Sequence, residues 1–195
     1  MTKVANAESA GLSRALSRRL LLGSMAAAGA VAIGPRFAAA DAQMDADALA
    51  TLKKLYASNE GARVLGEKAK GILVFPTIAK GGFMIGGAYG EGTLLVNGRT
   101  AGYYSSAAAS YGLQIGIQRF SYALFMMTDS AMQYLNKSDG WEIGVGPTIV
   151  VADEGFATKA TTTTLKAEIY AFIFGQQGLM AGLGIEGTKV TRINR

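Results

Sequence analysis

The sequence predicts an α+β fold, with N-terminal helices packed on a mainly antiparallel, glycine-rich β-sheet or barrel-like core. Two helical stretches with apolar stripes come first, and a long succession of short apolar runs separated by glycine-bearing turns follows. One of those turns is Asn97-Gly98, the strongest short-range hairpin signal. Helices and strands are segregated along the chain instead of alternating, which suits antiparallel pairing better than parallel crossovers. Half of the 195 residues are hydrophobic and 17% are charged, enough apolar material for a core and too little charge for a disordered chain. The 26 glycines against 3 prolines fit tight turns and close backbone approaches.

Residues 41–70 read as helical. Leu49, Leu52, Leu55 and Tyr56 recur at three- and four-residue spacing, with Lys53 and Lys54 off the stripe. Ser58-Asn59-Glu60-Gly61 interrupts the pattern, and residues 62–69 form a second short helix. Residues 71–75 read as a buried strand closed by Pro76, and residues 82–90 and 92–96 as the next two. Asn97-Gly98 then turns the chain into residues 99–104, because both central residues of such a turn take positive φ. Residues 110–118 alternate small or polar with large apolar side chains and are expected to pair with 122–127. Thr128-Asp129-Ser130 starts a short helix over 131–135. Residues 141–151, 167–174 and a last strand pair within 178–190 complete the set, in one domain beyond residue 41.

The N-terminus reads as an export signal. Ser17-Arg18-Arg19 is followed by Leu20-Leu21-Leu22 and an apolar run to Ile33, too short and too mildly apolar to favour a membrane span or anchor. Pro35 breaks the run, and Ala38-Ala39-Ala40 supplies small residues for cleavage after Ala40. This is the pattern of a twin-arginine leader over residues 1–40, which implies a periplasmic location. Residues 1–40 hold Lys3, Arg14, Arg18, Arg19 and Arg36 against Glu8 alone, a net of +4. The remainder, with 14 basic and 13 acidic side chains, has little charge with which to bind nucleic acid.

The chain has no cysteine and no histidine. Disulfides, thiolate nucleophiles, the usual general base and the commonest metal ligand are therefore all missing. Ser105, Ser106 and Ser110 have no histidine partner and no S-x-x-K motif, and so read as strand and turn residues. Gly182-Leu183-Gly184-Ile185-Glu186-Gly187 matches G-x-G-x-x-G, but the eight residues after it cannot supply the helix and acidic residue of a dinucleotide site. Asp153-Glu154 sits in a glycine-containing turn, and nothing singles out a catalytic carboxylate pair. The chain is expected not to be an enzyme and to need no cofactor.

Several ordered blocks carry a resemblance. They are Lys70-Gly71-Ile72-Leu73-Val74-Phe75-Pro76, residues 80–87, Gly90-Glu91-Gly92, residues 112–118 and residues 178–187. In this order they resemble the SYLF domain family, over essentially the whole of residues 41–195. The resemblance implies lipid binding, with phosphoinositide preference and actin contacts in eukaryotic members. Eukaryotic members also place an aromatic residue, often Trp, after the glycine corresponding to Gly102, and here it is Tyr103. An exported bacterial protein meets neither actin nor, normally, phosphoinositides, so an anionic lipid or membrane surface is the partner expected.

Given an amphiphile ligand, Lys53, Lys54, Lys68, Lys70, Lys80, Arg99 and Arg119 are the candidate lipid-binding residues. They bracket the helices and the first glycine-rich hairpin, where clustered cations would hold lipid phosphates. Two functions compete. One is a non-catalytic periplasmic lipid- or amphiphile-binding protein at a membrane surface; the other is a structural envelope module that binds protein and no lipid. An outer-membrane barrel fits the strand pattern only superficially, because such barrels cross the inner membrane unfolded and show regular segments of about ten residues with aromatic girdles. Folded-state export, the N-terminal helices and the basic end at Arg195 disagree.

Overall fold

Ile72-Leu73-Val74-Phe75 and Ala123-Leu124-Phe125-Met126 are apolar at every position, a pattern suited to strands buried on both faces. In the computed structural model these two runs lie side by side at the centre of one sheet, and all eight side chains are buried. The structure describes residues 34–83, 85–111, 116–136, 140–152, 166–178 and 187–195. It divides into two units, Met1–Ala39 and Ala40–Arg195. Of the first, only residues 34–39 are described, and they are helical. Ser17, Arg18 and Arg19 lie outside the described residues.

The elements are α1 (Gly34–Ser58), α2 (Glu60–Lys68), β1 (Gly71–Phe83), β2 (Ile85–Val96), β3 (Arg99–Tyr111), β4 (Gly116–Met126), α3 (Asp129–Leu135), β5 (Trp141–Glu142), β6 (Ile149–Ala152), β7 (Ile169–Gly178) and β8 (Lys189–Ile193). The strands form one curled, half-barrel sheet in the order β5-β8-β3-β2-β1-β4-β7-β6. Every neighbouring pair is antiparallel except β6 with β7. The α+β class expected from the sequence is therefore the observed one.

Strand alternation divides the core into two layers. Leu73, Phe75, Leu124 and Met126 pack with Ala131 and Leu135 of α3 and with Trp141 and Val190 from the β5–β8 edge. Ile72, Val74, Ala123 and Phe125 pack on the other face under Leu52 and Leu55 of α1 and Ala62 and Leu65 of α2. Both short helices open on side-chain caps. The Ala62 N–H donates to Asn59 Oδ1 at 2.9 Å, and the Ala131 N–H donates to Thr128 Oγ1 at 3.1 Å. In the inner layer, the Tyr122 hydroxyl donates to Ser106 Oγ at 2.7 Å, and burial pushes that phenol well above its ordinary range.

Several expectations need correction. Pro35 lies in the first turn of α1 as described, where proline's missing donor is not needed, and the apolar run before it lies outside the described residues. Pro76 does not close β1, because it falls at a register shift between Phe75 and Ile78, where a missing N–H is tolerated. Residues 82–90 are not one strand: Gly82 pairs with Gly86 and Phe83 with Ile85, so the chain reverses between them. Residues 116–118 and 122–126 do not pair with each other, because both belong to β4, which pairs with β1 and β7. Residues 141–151 hold two short strands, β5 on β8 and β6 on β7. A turn intervenes, tied by Trp141 Nε1 donating to the Val145 carbonyl at 2.9 Å. Of the expected last pair, Gly178 ends β7 and Val190 lies in β8; residues 179–186 lie outside the described residues, as do 112–115 and 153–165.

Asn97-Gly98 behaves as expected, with φ of 50° and 73°. A Cβ at Gly98 meets nothing within 4 Å, so Gly98→Ala costs only its backbone conformation, about 1 kcal/mol. Gly92 differs, because its partner strand bulges toward it. A Cβ there would lie 2.3 Å from the Val74 carbonyl and 2.7 Å from the Phe75 ring, and Gly92→Ala costs about 3 kcal/mol. Urea denaturation of the two variants checks this; equal losses would contradict it.

Candidate functional site

Three adjacent strands lose register at one level of the sheet. β1 carries an extra residue between Phe75 and Ile78 relative to β4, and β7 carries one between Phe174 and Gln177. Bulges bend a strand and release backbone groups from the ladder. The Pro76 carbonyl released in this way accepts from Ser121 Oγ at 2.6 Å. α1 and α2 cover this face of the sheet, and beside them a cleft of about 960 Å³ lies between α1 and strands β1, β4 and β7. Leu55, Phe172 and Phe174 give it an apolar wall, while Thr51, Ser58, Asn59, Gln176 and Gln177 line it with polar groups.

Three charges line the same cleft: Lys54, Arg119 and Asp47. Arg119 and Ser121 alternate in register with Ala123 and Phe125, so they face the helix side of the sheet. Lys54 and Arg119 are exposed and form no ion pair among the described residues. Asp47 accepts from Gln43 Nε2 at 2.9 Å. Asn59 is 9% exposed; its Oδ1 is committed to the α2 cap, which leaves its amide N–H groups for the cleft. The cleft thus offers more donors than acceptors, and a net charge of +1, beside phenylalanine rings.

The other candidate basic residues stand elsewhere. Lys53 follows the next direction around α1 and lines no part of the cleft. Lys68 is in the last turn of α2, where a cation complements the helix dipole. Lys70 Nζ lies 3.6 Å from Asp129 Oδ1. Lys80 is half-buried and pairs with Gln118, so it faces the opposite side of the sheet from Arg119. Arg99 is exposed just after the hairpin turn, opposite Val96. Only Lys54 and Arg119 are brought together. Sequence reasoning missed Asn59, Phe172 and Phe174; the available signals were Pro76 inside an apolar run and Gly175-Gln176-Gln177 ending another.

Tyr103 has a different role. Its hydroxyl donates to Asp45 Oδ2 at 3.3 Å, tying α1 to β3. Burial first, and then the Asp45 charge, raises its phenol. Beside it Arg195 pairs with Glu91 and, at 3.5 Å, with Asp41. Ser105, Ser106 and Ser110 all lie in β3. Among the described residues no three carboxylates gather to hold a metal, and no helix is long and apolar enough to cross a membrane.

Fold and cleft together define a small α+β domain on a curled antiparallel sheet, with a helix-walled cleft on one face. Residues 107–194 match the family model described as Ysc84, Las17-binding protein actin regulator, a match that is consistent with the SYLF resemblance of the sequence. The match includes Arg119 and the β7 wall of the cleft, whereas Lys54 and Asn59 precede it. No curated protein matches the chain.

The cap and the cleft share one residue, which separates two variants. Asn59→Ala removes the acceptor of the Ala62 N–H and costs about 1 kcal/mol, whereas Asn59→Asp retains a good cap and leaves stability nearly unchanged. Thermal melts of both variants check this, and an unstable Asn59→Asp would show that the cap is not the residue's main contribution to folding.

Proposed function

We propose that this is a non-catalytic periplasmic protein, exported by the twin-arginine pathway, that binds lipid or another amphiphile at a membrane surface. The observation that carries the reading is the pair of cations, Lys54 and Arg119, which form no ion pair among the described residues and line one cleft with Phe174. Cations beside the half-buried Phe174 suit a ligand that is anionic at one end and apolar at the other. The SYLF family is linked to lipid and actin binding; a protein exported through Arg18-Arg19 meets no actin, so lipid is the link that transfers. The absence of histidine and cysteine throughout the chain favours binding without chemistry and without a cofactor. The near-neutral balance beyond the leader favours lipid over nucleic acid. A second reading, an envelope protein-interaction module with no lipid ligand, draws on Val150 and Val151. Both are exposed on β6, the last strand of the sheet.

Co-sedimentation of the full chain with vesicles tests the first reading. Anionic vesicles pellet the protein, zwitterionic ones do so less, and raising salt weakens the interaction. Each basic contact contributes about 1 kcal/mol at an anionic surface, so Arg119→Gln lowers affinity about fivefold. No pelleting with either vesicle removes the reading. Export is tested separately: replacing Arg18 and Arg19 by Lys leaves the protein in the cytoplasmic fraction, and unchanged export would rule out the twin-arginine route.

A further inference from the structure

One stripe of α1 faces the cleft. Asp47, Thr51, Lys54 and Ser58 follow one another at spacings of four, three and four residues, and all of them line it. That is the repeat of a single helical face. On the sheet side stand Arg119 of β4 and Gln176 and Gln177 of β7. Arg119 and Gln177 are register partners and so share a face. Gly175, with a φ of 64°, sits in the β7 bulge, where a strand can re-aim a neighbouring side chain.

The apolar members of the lining give a ligand little to touch. Leu55, Phe120 and Phe172 are 2%, 6% and 1% exposed, so they belong to the core. Phe174 is half-buried, enough to cover the C–H face of a small group. An acyl chain finds no lane here, and the accessible lining is polar.

That polar lining is mixed in a way a bare anion does not match. Lys54 and Arg119 favour a negative charge, and with Asp47 the described lining carries a net charge of +1. Ser58 Oγ donates to the Lys54 carbonyl at 3.1 Å, and Ser121 Oγ donates to the Pro76 carbonyl at 2.6 Å. A hydroxyl that has given its proton away can only accept. Together with the Asp47 carboxylate, these oxygens call for donors on the ligand. Hydroxyl groups supply donors without adding charge, whereas an ammonium group would set a positive charge beside Lys54 and Arg119.

We propose that the cleft recognises a phosphodiester head bearing one negative charge and free hydroxyls, as in phosphatidylglycerol, with the acyl chains left outside. This rests on the amphiphile-binding reading and names the head which that reading leaves open. Lys54 and Arg119 hold the phosphate through charge-assisted hydrogen bonds. Asp47, Thr51, Ser58 and Gln177 meet the hydroxyls. Sites that hydrogen-bond a hydroxyl discriminate against an analogue that lacks it, so the neutral groups separate heads of equal charge.

Vesicles of phosphatidylethanolamine carrying equal mole fractions of phosphatidylglycerol or phosphatidylmethanol test this with the full chain. The two anionic lipids have the same charge, and only the first has hydroxyls. Co-sedimentation is expected to show about fivefold tighter binding to phosphatidylglycerol, the worth of one net hydrogen bond. Thr51→Val and Gln177→Met keep the side chain's size. Each lowers phosphatidylglycerol binding about fivefold and leaves phosphatidylmethanol binding and the melting temperature unchanged. Arg119→Gln weakens both lipids alike. Calorimetry with glycerophosphoglycerol, the same head without acyl chains, separates a soluble source from a lipid one. Equal binding of the two anionic lipids overturns the proposal and spares the membrane-surface reading; a preference that survives both substitutions does the same. Binding of glycerophosphoglycerol with no pelleting by any vesicle supports the head and assigns it to a soluble molecule, against the membrane reading. If neither vesicles nor the free head bind, both readings fall.

Discussion

β1 and β4 are buried on both faces, and most of the architecture is a response to that constraint. A strand with Ile72, Leu73, Val74 and Phe75 in succession cannot show either side to water without losing about 2 kcal/mol for each large side chain exposed. One face is therefore covered by α1 and α2, and the other curls around Tyr104, Tyr122 and Trp141 with α3 closing the layer. The curl brings β5 and β8 to one edge and β6 and β7 to the other. Glycines at close approaches, such as Gly92 against Val74 and Phe75, let the strands bend that far.

The same constraint locates the cleft. Double cover holds only as far as the helices reach, and the strands continue beyond them. Where cover ends, a regular strand would carry an exposed apolar face. The bulges of β1 and β7 fall there, and below them the helix-side positions change character to Thr77, Arg119 and Gln177. The transition from sealed to open sheet is thus written into both backbone register and side-chain type, and an amphipathic cleft is the outcome.

Local signals were legible in the sequence and long-range ones were not. Asn97-Gly98 specifies its turn through two residues' own φ preferences, so no distant information is needed. The reversal between Gly82 and Gly86 escaped because both arms are glycine-rich and apolar, and nothing in the composition marks the corner. Pro76 misled for a related reason: proline rules out a regular ladder position but not a bulge, and only the partner strand reveals which it is. Among the basic residues, charge alone could not distinguish Lys70, which meets Asp129, from Lys54, which meets no carboxylate among the described residues. That Lys54 and Arg119 share a cleft depends on how α1 crosses β4, a tertiary fact with no local signature.

α1 bears on function because it is held on both sides of the cleft's helical wall. Toward its start, Asp45 accepts from Tyr103, and Asp41 pairs with Arg195, which also holds Glu91. Toward its end, Leu52 and Leu55 are buried against the sheet, and the Asn59 cap fixes the bend into α2. The ion pairs contribute little individually because water reaches them, but burial of the leucines does not share that weakness. A wall fixed in this way is present before any ligand arrives, so binding need not include the cost of ordering the helix.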